Sequence, residues 1–185
     1  MNRRTALLML AAALPIAGCS HPPYRTEYLD GPTGPYTLAG GDRLRIIVFG
    51  QENLSNIYAV DGGGRIAVPL IGSMPVGGRT PAEVEGMIAA KLRGGFVREP
   101  KVTVEIDAYR PFFILGEVVN SGQFAFVNGM TVQTAIAIAG GFTPRAAKDH
   151  AEVVRKSRDT LVGGIVPITY PVRPGDTIVV KERWF

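Results

Sequence analysis

The chain has only one cysteine and two histidines in 185 residues. A single cysteine forms no internal disulfide, so the stability of the fold must come from its hydrophobic core. His150 stands alone, without a second histidine or a nearby cysteine to complete a metal site, and His21 lies close to Cys19 near the amino terminus. We therefore expect no metal site and no cofactor in this protein.

Motifs for nucleophilic or phosphate chemistry are also missing. The sequence has no GxSxG nucleophile elbow and no P-loop, and the glycine-rich run 61–64 lacks the strand-to-helix context of a nucleotide-binding loop. Glu83 and Glu85 are two positions apart on a predicted helix, so their carboxylates point in different directions and do not converge as catalytic pairs do. We interpret the chain as a protein that is not an enzyme.

Neither a strong charge imbalance nor a long apolar run follows the amino-terminal segment. The formal net charge is +4, and Arg3 and Arg4 account for two of those charges, so the remaining chain is close to neutral. Because it has no block of lysine and arginine, we do not expect nucleic acid as a partner. No stretch beyond residue 18 reaches the roughly 18 consecutive apolar residues that a membrane-spanning helix needs.

Residues 1–18 have the pattern of a signal peptide. Arg3 and Arg4 precede an apolar segment, Ala6 to Ala17, whose twelve residues would rise only about 18 Å as a helix, short of the ~30 Å hydrocarbon core. Its end, Ile16-Ala17-Gly18-Cys19, resembles the bacterial lipobox, which implies cleavage before Cys19 and acylation, palmitate included, of that residue. The alternative is an ordinary signal peptide with an incidental cysteine. Export by the general or the twin-arginine route stays open.

Residues 19–35 form a predicted tether between the anchor and the folded part. They contain Pro22-Pro23, Gly31-Pro32 and Gly34-Pro35 and little apolar content. In a polyproline-like conformation of ~3.1 Å per residue, the tether would reach up to ~50 Å from the lipid. Ser20 after the acylated cysteine resembles the sorting signal for the outer membrane, so we expect a lipid anchor on its periplasmic face.

A first α+β module is predicted over residues 36–108. Gly41-Asp42 forms a tight turn into a strand that continues to Phe49, and residues 58–60 are predicted to pair with residues 65–68 across the turn 61–64. Thr80 is the predicted N-cap of a helix, with Pro81 and Glu83 completing a capping box. Residues 101–107 alternate between apolar and polar side chains, which predicts the closing strand.

A second α+β module is predicted over residues 109–185. Residues 112–119 and 124–127 form a hairpin around a turn at Gly122, and Thr131 caps a short helix that ends with Gly141 as its left-handed C′ residue. A strand over residues 151–155 follows. A second turn, Gly175-Asp176, leads into a strand over residues 177–181. We interpret its likeness to Gly41-Asp42 as recurring turn chemistry and not as an internal repeat.

These motifs, in this order, resemble the bacterial outer-membrane polysaccharide export lipoprotein family, which joins a polysaccharide-export domain to a soluble-ligand-binding β-grasp domain. The residues that carry the resemblance are Gly41-Asp42 before Leu44-Arg45-Ile46, Leu54-Ser55, Gly64-Arg65-Ile66, Pro69 to Gly72, Gly78-Arg79-Thr80 and Pro100-Lys101-Val102, then Leu115 to Val118, Gly122, Met130-Thr131-Val132 and Ala139 to Phe142. Gly40 and Ser121 depart from the family's common prolines. The resemblance implies two small mixed modules, the second β-grasp-like, in a short form lacking the family's C-terminal membrane helix.

The function that the resemblance implies is export of an exopolysaccharide or capsule across the outer membrane. Identical subunits would form a periplasmic ring that works with an inner-membrane chain-length regulator and with a separate outer-membrane barrel. The alternative is a glycan-binding or structural lipoprotein that forms no conduit, and a carbohydrate hydrolase would need a converging carboxylate pair. Tyr109, Arg110, Phe112 and Trp184 are candidate contacts for glycan or for a neighbouring subunit, with simple domain packing as the other interpretation.

Overall fold

The computed structural model describes residues 34–157 and 160–183. The signal peptide, Cys19 and nearly all of the tether therefore lie outside the described residues, as does Trp184. The described chain is an α+β protein with two modules, and each has its own cluster of buried apolar side chains. Among the described residues, no helix is long and apolar enough to cross a membrane.

The first module is built from five strands and one long helix. In chain order they are β1 (Arg43–Val48), a 3₁₀ turn (Glu52–Leu54), β2 (Asn56–Ala59), β3 (Arg65–Val68), β4 (Gly72–Pro75), α1 (Pro81–Arg93) and β5 (Val102–Ala108). Strand β1 is central in the sheet β2-β1-β5, and both of its neighbours are antiparallel to it. Its side chains alternate between exposed and buried, so one face of the sheet joins the core.

Helix α1 covers that core. Thr80 is its N-cap and Glu83 completes the capping box, with Pro81 at the first helical position. These groups use backbone donors that would otherwise lack partners at the start of the helix. The helix buries Val84, Ile88 and Leu92 on one stripe, as their spacing predicts.

The hairpin predicted between residues 58–60 and 65–68 is wrong. Strand β3 pairs with β4, and β2 pairs with β1. The chain does turn at Asp61, whose N–H donates to the Arg65 carbonyl at 2.9 Å. The backbone of Val60, however, is already bonded to the Gly41-Asp42 turn, because its N–H donates to the Asp42 carbonyl at 2.8 Å and its carbonyl accepts from the Gly41 N–H at 2.9 Å. The two strands therefore separate after the turn.

The second module has a five-stranded mixed sheet and one short helix. Its elements are β6 (Phe112–Gly116), β7 (Gly122–Phe124), α2 (Val132–Ile138), β8 (His150–Ser157), β9 (Thr160–Pro167) and β10 (Thr177–Val180). The strand order is β7-β6-β10-β8-β9, with β6 and β10 parallel and the other pairs antiparallel. Val132, Ala135 and Ile136 of α2 belong to the same buried cluster as Ile114 and Ile178 of the sheet. One helix on a mixed sheet is a β-grasp-like arrangement.

Strand β6 ends three residues earlier than the sequence predicts. At Gly116 the backbone has a φ of 87°, and a Cβ atom there would lie 2.1 Å from the Val180 carbonyl oxygen. The chain then leaves the sheet: the N–H of Val119 donates to the Gly141 carbonyl at 3.0 Å, and that of Asn120 donates to the Ala139 carbonyl at 2.8 Å. Gly122, predicted as a turn residue, instead begins β7.

Helix α2 ends one residue earlier than predicted, so the placement of Gly141 at C′ is wrong. Ala139 is the C-cap, and Gly140, with a φ of 87°, is the C′ residue. The Gly141 N–H donates to the Ile136 carbonyl at 2.9 Å and the Gly140 N–H to the Ala137 carbonyl at 3.0 Å, which is the Schellman pattern. Gly141 is also left-handed, at 94°, so the sequence pattern alone does not distinguish the two glycines.

Candidate functional site

The first Gly-Asp turn places a buried carboxylate at the junction of the modules. Asp42 is completely buried, and its N–H donates to the Ala39 carbonyl at 3.2 Å. Its Oδ2 atom accepts the Ala39 N–H at 2.8 Å and the Tyr36 hydroxyl at 2.7 Å. A buried carboxylate is stable only when such donors replace water.

Arg110 of the second module completes this site. Its backbone N–H donates to Asp42 Oδ1 at 2.8 Å, and its Nη1 donates to Asp42 Oδ2 at 3.2 Å and to the Tyr36 hydroxyl oxygen at 2.8 Å. Burial raises the pKa of Tyr36, and the hydrogen bond to Asp42 raises it further. The group therefore ties the two modules together through one carboxylate, one guanidinium and one neutral phenol.

The second Gly-Asp turn has the same construction. The Asp176 N–H donates to the Arg173 carbonyl at 3.1 Å, and Asp176 Oδ2 accepts the Arg173 N–H at 2.8 Å. Arg155 of β8 donates to both carboxylate oxygens of Asp176, at 2.8 and 2.7 Å, and its Nη1 lies 3.4 Å from the Tyr170 hydroxyl. Burial alone would lower the pKa of Arg155, but Asp176 and Tyr170 outweigh it and raise that pKa.

The two turns hold consecutive residues of the connection between the modules. Arg110 N–H binds the first turn through Asp42, and the Pro111 carbonyl accepts the Gly175 N–H of the second turn at 3.0 Å. A Cβ atom on Gly175 would lie 2.8 Å from Arg110 Nε, and one on Gly41 would lie 3.1 Å from Arg110 Cβ. Both turns therefore need glycine where the Arg110 side chain passes between them.

The likeness of the two turns extends beyond Gly-Asp. In each, a tyrosine lies six residues before the aspartate, and a buried aliphatic residue follows that tyrosine by two positions. A strand begins at the residue directly after the aspartate in both cases. The two segments are Tyr36 to Ile46 and Tyr170 to Val180. The sequence contains this likeness in the Tyr-x5-Asp spacing that both segments share. It is not visible when only the two Gly-Asp pairs are compared.

A cleft of about 640 Å³ opens beside the two turns. Its lining combines three aromatic side chains with four cationic ones: Tyr36, Tyr109, Phe126, Arg110, Arg155, Lys156 and Arg173. The Tyr109 ring is the middle of an edge-to-face series, 5.0 Å from Tyr36 and 5.3 Å from Phe126 between ring centroids. Pockets of this volume hold small ligands or short segments of larger ones.

The structure places the contact residues predicted from the sequence in different environments. Tyr109 and Arg110 both line the cleft. Phe112 does not, because its ring is completely buried in the second core and stacks on Phe124, so it has no surface to offer a glycan or a subunit. Thr80, Gly122, Thr131 and Gly141 are absent from the cleft lining, whereas Asp176 and Gly175 belong to it. Trp184 and Cys19 lie outside the described residues.

Sequence reasoning missed the cations on β8 and in the loop before β10. Arg155 follows Ala151 and Val153 at the inward-facing positions of β8, all three buried. A charged residue at a buried position of a strand requires a partner of opposite charge, which here is Asp176. The sequence therefore contained a signal for this residue: an arginine at a position where the alternation of β8 predicts an apolar side chain.

The chain belongs to the polysaccharide export protein family. Residues 30–107 match the family model described as polysaccharide biosynthesis/export protein, and residues 111–166 match the SLBB domain. These two matches follow one another along the chain and meet at the connection that the two Gly-Asp turns hold.

Curated relatives agree with this assignment. Exopolysaccharide production protein ExoF of Rhizobium meliloti (strain 1021) is 32% identical over a 118-residue alignment, which covers 57% of this chain and 28% of that protein. Two polysialic acid transport proteins KpsD of Escherichia coli are 23% and 22% identical over 159-residue alignments, which cover 80% of this chain and 28% of each relative. The chain therefore spans less than a third of the length of the curated relatives it matches.

Proposed function

We propose that this protein takes part in polysaccharide export across the outer membrane, by conducting the polymer and not by chemistry. The observation that carries the proposal is the family's two modules in order, fastened at their junction by Arg110 and Pro111. The names of the relatives, exopolysaccharide production and polysialic acid transport, support the same class of substrate.

The decisive experiment removes the gene from its native host and measures polymer at the cell surface and in the periplasm. Export predicts loss of surface polymer with retention inside the envelope, and restoration by the wild-type gene. Unchanged surface polymer would contradict the proposal. A co-purification from the same host tests for an inner-membrane chain-length regulator and a separate outer-membrane barrel as partners.

We place the protein on the periplasmic face of the outer membrane, held by acyl chains on Cys19. The lipobox-like segment Ile16 to Cys19 supports this anchor. A Cys19→Ser variant should lose its lipid mass and leave the outer-membrane fraction, because two or more acyl chains are needed for stable anchoring. An unchanged mass and fractionation would contradict the anchor.

The working form that we propose is a ring of identical subunits. The sheet of the second module exposes an apolar outer face, with Phe113, Leu115 and Ile165 all substantially exposed. Leu115, Val179, Glu152 and Ile165 lie in one row across the strands, opposite the side covered by α2. Three apolar side chains therefore share this row with one carboxylate, which is paired with Lys181. The first module exposes a second apolar pair, Ile47 and Phe49. Two different apolar surfaces on one chain suit the head-to-tail contact that closes a ring, so the occupant of the outer face is a second copy.

Mass measurement of the protein in mild detergent tests the ring. A variant with Phe113→Ser and Leu115→Ser should dissociate the assembly, while a matched control with Val119→Ser and Val127→Ser, exposed apolar residues outside that face, should leave it intact. Equal masses for both variants would contradict the assigned contact.

A glycan-binding lipoprotein without a conduit is the second candidate. The observation that favours it is the cleft, whose aromatic and cationic lining suits sugar recognition without any assembly. The same mass measurement separates the candidates, since a conduit requires a closed ring and a binding protein does not.

A further inference from the structure

Leu70 lies in a strained position at the tip of the hairpin formed by β3 and β4. Among residues 34–157 and 160–183, it is the only residue other than glycine with a positive φ, 68°. The Ile71 N–H donates to the Pro69 carbonyl at 2.9 Å, so Leu70 is the central residue of a γ-turn of the rare, strained kind. Glycine or asparagine adopts a left-handed backbone with less steric conflict. The turn itself therefore does not explain the leucine.

The side chain of Leu70 does not belong to the core of its own module either. It is 60% exposed, whereas Val68 and Met74 on the same hairpin are buried. A single exposed leucine is ordinary on a protein surface, but here the exposure is combined with a strained backbone. Backbone strain is concentrated at functional positions, where the surrounding structure maintains it. These two observations together favour a contact between Leu70 and another molecule.

A pocket of about 270 Å³ lies elsewhere on the first module. Its lining residues are Ile47, Phe49, Lys101 and Thr103. Ile47 lies opposite Thr103 in the pairing of β1 with β5, and the Phe49 N–H donates to the Lys101 carbonyl at 2.9 Å. The side chains of Ile47 and Phe49 are 46% and 78% exposed. Paired strands thus hold the walls of an apolar pocket that has room for one aliphatic side chain.

Leu70 and this pocket lie on opposite sides of the sheet β2-β1-β5. The hairpin buries Val68 and Met74 in the cluster that also contains Ile46 of β1. Ile47 is the next residue of β1, so it faces the other side of the sheet. The sheet separates Leu70 from the pocket within one copy, and a contact between them requires a second copy. Because the two surfaces differ, such a contact is head-to-tail.

We propose that Leu70 of one copy inserts into the Ile47–Phe49 pocket of the next copy. This inference rests on the proposed ring and gives it a contact in the first module, in addition to the outer face of the second module. Burial of the leucine side chain against apolar groups stabilises the contact. The strained turn holds that side chain away from the core of its own module, where a neighbour can receive it.

The test measures the dissociation constant between copies of the full chain in mild detergent, by analytical ultracentrifugation. Leu70→Asn removes the apolar side chain and suits a left-handed backbone, and Phe49→Ser removes one wall of the pocket. Each should raise the dissociation constant by about tenfold or more, because burial of one large apolar side chain contributes on that scale. The control Phe96→Ser changes an exposed phenylalanine outside the pocket lining and should leave the constant unchanged.

Two further measurements are specific to this contact. An equimolar mixture of the Leu70→Asn and Phe49→Ser chains should form mixed pairs with the wild-type constant, because the intact Leu70 of one chain meets the intact pocket of the other. At a dilution where every chain is monomeric, Leu70→Asn should melt no lower than the wild type, since it relieves backbone strain.

Four results would each overturn this inference and leave the ring standing. They are assembly that neither Leu70→Asn nor Phe49→Ser weakens, equal weakening by Phe96→Ser, a mixture that stays as dissociated as its components, and a lower melting temperature for monomeric Leu70→Asn. A wild-type chain that is monomeric in the same detergent would overturn both the inference and the proposed ring.

Discussion

The two Gly-Asp turns use the same local chemistry for different purposes. Each buries an aspartate, caps it with a backbone N–H three residues earlier, and adds an arginine and a tyrosine. At Asp42 the arginine comes from the other module, through one guanidinium nitrogen at 3.2 Å, and its side chain is 25% exposed. At Asp176 the arginine comes from the same module, through two nitrogens, and its side chain is 10% exposed.

The difference shows that the same type of turn can stabilise either the interior of one module or the junction between two modules. A two-point bond inside a module fixes β8 against β10, one of the two inner pairings of the second sheet. Between the modules, Asp42 accepts the Arg110 backbone N–H and only one guanidinium nitrogen, which is shared with Tyr36 and partly open to water, so the contact is fixed with less desolvation of the guanidinium. The following predictions test this contrast, in order of decreasing effect.

The largest effect is expected at the second turn. Asp176→Asn leaves the buried Arg155 without a counter-charge, which should lower the free energy of unfolding by about 3–5 kcal/mol. Denaturant unfolding followed by circular dichroism measures this loss. The double variant Arg155→Met/Asp176→Asn should be more stable than the single one, since it also removes the uncompensated charge. A single variant that costs less than about 1 kcal/mol would contradict the buried-pair account.

At the first turn, Asp42→Asn should cost less, about 1–3 kcal/mol, because Arg110 can turn its guanidinium toward water. The same unfolding measurement should also begin to separate the transitions of the two modules, since their shared contact is weakened. If this variant is as unstable as Asp176→Asn, the two turns do not differ in the way described.

The glycine of the second turn should be sensitive for two reasons. Gly175 has a φ of 84°, and a Cβ atom there would meet Arg110 Nε at 2.8 Å. Gly129, with a φ of 80° and open space around it, is a matched control for backbone strain alone. Both changes to alanine should cost about 1 kcal/mol for the left-handed backbone, with a further loss for Gly175→Ala. Equal losses in thermal unfolding would show that Arg110 moves aside without cost.

The smallest effect concerns alkaline pH. Burial, followed by the hydrogen bond to Asp42, raises the pKa of Tyr36 above its ordinary value near 10. The unfolded chain releases this proton first as pH rises, so the stability contributed by neutral Tyr36 is complete below pH ~10 and declines above it. Tyr36→Phe should therefore lose less stability than the wild type between pH ~10 and higher values. A steeper decline in the variant would reverse this sign.

How well the sequence predicted each element depended on how far apart in the chain its interacting residues lie. The capping box at Thr80, the N-cap at Thr131 and the strand after Gly175-Asp176 depend on residues a few positions apart, and the sequence predicts them correctly. Strand β9 was not predicted, because its Leu161-Val162-Gly163-Gly164-Ile165 has no clear alternation, and its place depends on pairing with β8. The end of β6 depends on the approach of Val180, more than sixty residues away.

The sequence by itself determined the α+β class, the two modules and their family motifs, because caps, turns and apolar periods act locally. Only the tertiary structure decided that Asp42 is bonded by Arg110 and Asp176 by Arg155, and that Phe112 is core while Tyr109 lines a cleft. Those pairings join residues far apart in the chain, and a buried carboxylate accepts whichever donors the packing of both modules brings within reach.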